Sequence, residues 1–376
     1  MRRTKRLICL LLCTVMLLSS LLSLFGCNKR KYEPIESTAE EKRVVYTLSI
    51  GEKSYEVRYE LYRALFLNMR GEYDGGDPSV WSGEGKDEYI AAIDSDILKR
   101  ICEIYSAFAL CDELGIDLYS SEVEDMIYSY LVMSIEGGDG VVGYGSYEKY
   151  LEELRKMNLN YGVQELMYRY SVAMDLIDDY YIGTYSSEDI VDSVTVGKLT
   201  YTREDVEAFY FGEGCVRVLR AAIDPSNYYE DQVQSKINGI YSLICEAAPL
   251  GETSVAYAMI NNTTMPGPEV ERGFIISRHN LDKAYYSEMT EVAFDLGQGE
   301  VSRPILVNDG QLMAYYIMYK AEKSEKHLNE CYSDIAKAFL YNEVGSFLDQ
   351  RATQLLSGAV SEDVLKELDR SSISME

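Results

Sequence analysis

Few residues in this chain have types and spacings that could do chemistry. There are two histidines, His279 and His327, which leaves little scope for His-based acid–base catalysis or metal binding. Of the eight cysteines, Cys9 and Cys13 lie in an apolar N-terminal run and Cys27 stands at its end. Cys102, Cys111, Cys215, Cys245 and Cys331 remain, an odd number without a C-x-x-C pair, so neither a zinc site nor a disulfide framework is expected. Cys102, Cys111, Cys245 and Cys331 sit in apolar or amphipathic runs and are read as small buried hydrophobes. Asp175, Asp178 and Asp179 lack the spacing of a calcium loop and are read as a solvated helix face. The glycine-rich stretch 137–145 (GGDGVVGYG) has no strand before it and no Lys-Ser/Thr after it, so it reads as a loop and not a phosphate cradle. No metal and no cofactor is expected.

The N-terminus carries the most specific chemistry. Arg2, Arg3, Lys5 and Arg6 precede an apolar run from Leu7 to Leu24. About 18 apolar residues can cross a bilayer, so the run alone would fit a membrane anchor. Leu24-Phe25-Gly26-Cys27, however, sets an aliphatic residue, a spacer and a small residue before Cys. This resembles the bacterial lipobox, which implies diacylglycerol on the Cys27 sulfur and cleavage before it. Residues 1–26 are then a lipoprotein signal peptide, 27–43 a flexible polar tether containing Pro34, and the protein sits lipid-anchored on the extracytoplasmic face of a bacterial membrane. An uncleaved anchor, or an ordinary signal with an incidental Cys, is the competing reading. Losing residues 1–26 moves the formal charge from −26 to −30. Such an exterior repels nucleic acid and anionic headgroups, so nucleic-acid binding is set aside.

The elements that position any site follow from periodicity. Val44–Ile50 (VVYTLSI) reads as a strand, Gly51-Glu52 as a turn, and Tyr55–Met69 as a helix with Val57, Leu61, Leu65 and Met69 on one face. A loop over 71–85 leads to a helix over 86–114, whose Ile90, Ile93, Ile97, Ile101, Ile104, Phe108 and Cys111 form an apolar stripe ended by Gly115. Further helices are predicted over 122–135, 146–157 and 161–181. A short strand pair turns about Gly197, and Thr202 with Asp205 makes an approximate capping box for the next helix. Beyond it the spacing predicts a strand over 216–223, a helix over 229–248, an irregular stretch over 251–280, a helix over 285–294, a strand over 312–320 and one long helix over 324–356. The 33 tyrosines are read first as replacements for Phe at half-buried helix positions, and second as an amphipathic client surface.

In this order of elements the chain resembles the SurA/PrsA-type extracytoplasmic foldases, in which helices surround a parvulin-like peptidyl-prolyl isomerase domain. Leu48-Ser49-Ile50-Gly51 with its following helix, residues 115–123, and residues 202–210 each resemble junctions of that family. The sharpest likeness is Ala293 to Pro304 (AFDLGQGEVSRP), similar to the parvulin stretch AF-x-L-x-x-GEVS-x-P. The resemblance implies an α+β fold. It has a helical N-terminal chaperone domain (44–212), a small degenerate parvulin-like α/β domain (213–322), and a C-terminal helix and tail (323–376) packing back on the helices. Parvulins carry two core histidines. Aligned on this chain, Arg220 falls at the first and Tyr316 at the second, Asn261 or Asn262 lies nearest the family's Cys or Asp, and the Gly-rich turn shrinks to Arg272-Gly273-Phe274. The resemblance thus marks Arg220 and Tyr316 as candidate catalytic positions and Phe274, Phe294 and Met313 as candidate binding positions. It implies unfolded or nascent secreted proteins as partners and a weak or lost isomerase.

Two functional classes follow. One is a lipid-anchored foldase; the other is a non-catalytic interaction or solute-binding surface lipoprotein. A two-lobed solute-binding protein needs repeated βαβ alternation, which this helix-dominated chain lacks.

Overall fold

A computed structural model of the protein describes residues 30–138, 142–183, 193–196, 198–265, 267, 270, 272–279, 283–308 and 313–375. The expectations for the signal peptide and for Cys27 lie outside the described residues. Strand β1 (Val44–Ile50) pairs antiparallel with β2 (Lys53–Arg58), Ser49 opposite Ser54. Helix α1 (Tyr59–Asp74) therefore starts four residues later than the apolar stripe predicts. Tyr55 and Val57 alternate with exposed Ser54 and Glu56, a two-residue period that the helical reading of Val57 overlooked. The predicted loop over 71–85 is shorter than expected: α1 takes its start, and Pro78–Trp81 winds a 3₁₀ turn that buries Trp81 against Phe66.

Helix α2 (Lys86–Leu114) matches its stripe, and Gly115 closes it at φ +73°, where a side chain would be strained. Helices α3 (Ser121–Glu136), α4 (Tyr147–Lys156) and α5 (Tyr161–Tyr181) each start under a side-chain cap, from Ser120, Ser146 and Asn160. A hairpin of β3 (Ser193–Val196) and β4 (Leu199–Thr202) then leads into α6 (Arg203–Phe211). Its capping box is complete: Asp205 N donates to Thr202 Oγ1 at 3.2 Å and Thr202 N to Asp205 Oδ2 at 2.7 Å.

Strand β5 (Cys215–Ile223) lies inside a four-stranded antiparallel sheet with β6 (Phe274–Ser277), β7 (Ile305–Asn308) and β8 (Met313–Lys320), in the order β6-β5-β8-β7. Leu219, Ala221 and Ile223 pack under α7 (Val233–Ala247) and α8 (Glu252–Asn262), while Val216, Val218 and Ala222 pack under α9 (Lys283–Asp295). The stretch 251–280 thus holds a helix and a strand where an irregular chain is predicted. Helix α8 buries only Val255 and Met259, and β6 has four residues, so neither repeats its period often enough to be recognised.

The predicted long C-terminal helix is two, α10 (Glu325–Glu330) and α11 (Tyr332–Ser357), because Cys331 leaves helical geometry at φ −122° and ψ 23°. Helix α11 packs back along α2, and β9 (Val360–Ser361) adds to β1 on the side away from β2. Past α12 (Asp363–Glu367), Arg370 is 6% exposed, donating to Asp94 at 2.8 Å and to the Leu365 and Leu368 carbonyls. The whole is α+β, mainly helical with small antiparallel sheets.

Residues 30–43 depart from the sequence expectation of a flexible tether. They lie on the helices: Tyr128 Oη accepts the Lys31 amide at 2.7 Å, Ser37 Oγ donates to Glu60 at 2.6 Å, and Arg63 reaches Glu41 at 2.7 Å. Composition signals a polar segment, but not the tyrosine hydroxyls and carboxylates that hold this one.

Candidate functional site

Arg220 and Tyr316 stand on neighbouring strands. Ala222 pairs with Tyr316 and Arg220 with Met318, so the two are diagonal neighbours on the sheet face beneath α9. The Arg220 guanidinium lies 5.0 Å from the Phe274 ring centre and 5.1 Å from that of Tyr316. Three of the predicted positions are thus brought together as a cation between two rings. Phe274 and Arg220 are half-buried, whereas Tyr316 is 1% exposed and belongs to the core under α9.

That geometry limits the chemistry. Twisting a prolyl amide needs no nucleophile; it needs an apolar bed for the ring and a donor toward the twisted amide, against a barrier of about 20 kcal/mol. A guanidinium donates and stays charged, so it can hold a carbonyl or carboxylate but cannot exchange protons as an imidazole pair does. Asn261 and Asn262 do not enter the site, since their amides donate back to the Tyr257 and Ala258 carbonyls of α8 at 2.7 Å. Thr263 and Thr264 approach β5 in their place, Thr263 Oγ1 donating to the Ala222 carbonyl at 2.8 Å.

The other predicted binding positions lie elsewhere. Met313 opens β8 opposite Asn308. Phe294, near the end of α9, carries the Arg278 guanidinium 4.2 Å above its ring and faces a cleft of about 490 Å³ that also meets Arg217, Lys320 and Lys323. Residues 293–304, the sharpest motif in the chain, do structural work here. Gly299 N donates to the Lys320 carbonyl at 2.9 Å, Ser302 N to that of Met318 at 2.8 Å, and Lys320 Nζ closes α9 by donating to Phe294 and Leu296 at 3.1 and 2.6 Å.

Sequence reasoning missed three polar pairs. Arg217 and Glu252 form a two-point ion pair, with Arg217 6% exposed. His327 is buried, its Nδ1 2.9 Å from Tyr210 Oη, and burial and the nearby Arg217 charge hold its pKa below the usual imidazole value. His279 hydrogen-bonds Asp349 of α11. Cys245 is half-exposed while Cys215 is buried. Burial pushes the Cys102 and Cys111 thiols up to about 12 and that of Cys215 up to about 11, so they stay protonated. Asp178 is likewise half-buried, and desolvation raises its pKa, so the triad is only partly a solvated face.

No protein-family model matches the chain, and no curated protein matches it. Among solved structures it is similar to the foldase protein PrsA from Streptococcus pneumoniae, at 14% identity over 85% of this chain and 96% of that one, with a TM-score of 0.29. A foldase protein (PrsA) from Lactococcus lactis aligns at 13% identity over 88% and 99%, TM-score 0.23. PrsA from Bacillus subtilis aligns at 12% over 84% and 93%, TM-score 0.22. At these TM-scores the functional reading rests on the chain's own residues.

Proposed function

We propose that this chain is a lipid-anchored extracytoplasmic chaperone that binds unfolded exported polypeptides and has weak or lost peptidyl-prolyl isomerase activity. In this reading 44–212 is the helical chaperone domain, 213–322 a degenerate parvulin-like domain, and 323–376 the returning helix and tail. The observation that carries it is Arg220, stacked on Phe274 and Tyr316 where the family places an imidazole pair. Anchoring is supported by Gly26-Cys27 at the end of the apolar run. Among the described residues no helix is long and apolar enough to cross a membrane. Polypeptide binding is supported by the α7–α8 hairpin, which exposes Leu243, Leu250, Tyr257 and Ile260.

A protease-coupled prolyl isomerisation assay on residues 28–376, run beside aggregation suppression of an unfolded client, tests the reading. Suppression with little or no acceleration is the expected result. Strong acceleration that disappears in Tyr316→Ala would show a working pocket and overturn the loss of catalysis. Absence of both effects would leave the non-catalytic interaction lipoprotein as the better account.

A further inference from the structure

We infer that the groove between α3, α4 and α5 is a binding site for an extended polypeptide segment that opens on basic residues and carries an aromatic residue ahead of a proline, and that residues 30–37 occupy it in cis. This deepens the polypeptide-binding reading above by giving it a site and a ligand class. The groove reads main chain first. Tyr128 Oη accepts the amides of Lys31 and Tyr32 at 2.7 and 3.3 Å, and Tyr147 Oη donates to the Glu33 carbonyl at 2.7 Å. Contacts of that kind accept many sequences.

Charge and rings narrow the choice. Glu136 takes Lys31 Nζ at 2.6 Å and the Tyr32 hydroxyl at 2.7 Å, and the Lys31 ammonium holds the Glu136 pKa below the usual carboxylate value. Arg30 lies 3.5 Å from Asp125 and stacks on Tyr128 at 5.1 Å, while Tyr32 packs on Tyr147 at 5.4 Å. A basic residue, an aromatic residue and then Pro34 is therefore the pattern the groove holds.

Two features show that this occupant can be replaced. Its fit is incomplete: a cavity of about 40 Å³ remains beside Arg30 and Pro34, bounded by Tyr150, Tyr161 and Tyr168. Its ion pair is also weak, because Lys31 and Glu136 are 68% and 41% exposed, and such pairs are largely solvated. Farther along, Ser37 bonded to Glu60 and Glu41 bonded to Arg63 hold the chain fast, so the strap lifts from one end only. A covalently attached occupant competes at an effective concentration of roughly millimolar, which masks the groove from outside peptides.

The test uses a fluorescent peptide of residues 28–37, titrated by anisotropy into the chain 28–376 and into its Lys31→Glu, Tyr32→Ala double variant. The variant should bind the peptide at least about tenfold tighter than the parent. Adding Tyr128→Phe should then weaken it at least threefold (about 0.7 kcal/mol), one hydrogen-bond acceptor being lost. Equal binding to parent and variant, or no binding to either, overturns the inference. Amide exchange on the unaltered chain guards against a misfolded variant: residues 31–36 should exchange at least about tenfold faster than the interior of α3. Joint exchange of strap and helix would mean a fixed structural element. Aggregation suppression measured on the same samples separates the two ideas. Suppression without peptide binding sinks this site alone, whereas peptide binding without suppression sinks the chaperone reading alone.

Discussion

Arg217 and Glu252 meet at two points, Nη2 to Oε1 at 2.7 Å and Nη1 to Oε2 at 3.0 Å, and so pin the first residue of α8 to the start of β5. The same guanidinium donates to the Arg272 and Glu322 carbonyls at 2.9 and 2.8 Å. Gly273, at φ +87°, lets the turn cross over it, since a Cβ there would lie 2.8 Å from Arg217 Nε. Arg217→Ala is therefore expected to cost about 3 kcal/mol, because the buried guanidinium's pair with Glu252 is lost and two main-chain carbonyls lose their donor with it. Glu252→Gln should cost less, as Glu252 is 36% exposed. Urea denaturation of the two variants checks the order, and a larger loss for Glu252→Gln would contradict it.

Glu41 gives a pH-dependent prediction. Burial pushes its carboxyl up, but hydrogen bonds from Thr38, Asn160 and Arg63 outweigh this and bring it down to about 2. A depressed folded-state pKa contributes stability above the unfolded value near 4.5, lost as pH falls toward 2. After discounting for solvent, Glu41→Gln should lose about 1–2 kcal/mol at pH 7. The gap between parent and variant should narrow below pH 4.5 and close near pH 2, as read from thermal unfolding midpoints across that range. A gap independent of pH would assign the loss to packing instead.

Lys320 donates to the last carbonyls of α9, so Lys320→Met should cost about 1 kcal/mol by removing that cap. Amide exchange should rise at residues 292–296 before it rises elsewhere in the sheet. An unchanged α9 would show that water caps the helix equally well.

Gly358 lies where a Cβ would come 2.2 Å from the Ser49 carbonyl oxygen. Gly358→Ala is expected to cost about 2–3 kcal/mol, since backbone must move on one side. Thermal unfolding of the variant measures this, and a loss under about 0.5 kcal/mol would show that the junction gives way freely.

The helices over 86–114 and 161–181 were legible because their apolar stripes repeat through many turns; Gly115 marked the end of the first, and Thr202 marked the start of Arg203–Phe211, by local chemistry. Short elements were not. Lys53–Arg58, Phe274–Ser277 and Ile305–Asn308 each hold six residues or fewer, and Phe274–Ser277 is ordered by a partner distant in sequence, Cys215–Val218. The alignment set Arg220 and Tyr316 on two predicted strands, yet it could not show that these pair or that Tyr316 is buried. Residues 312–320 (LMAYYIMYK) are apolar or aromatic at nearly every place, as suits a strand covered on both faces, and such a run does not reveal which side is wet. Arg217 and Arg220 look alike in sequence; only the register separates an anchor for α8 from a cation stacked on rings.

Strand β9 pairs with β1 across most of the chain, Thr47 Oγ1 donating to Glu362 from 315 residues away at 2.7 Å. Synthesis therefore finishes the first sheet last. A chain cut short before residue 360 keeps its long helices but leaves the outer edge of β1 bare, a strand edge open to pairing with another molecule. For a protein read as a guardian of incomplete chains, its own incomplete form would present the kind of edge that such a guardian exists to cover.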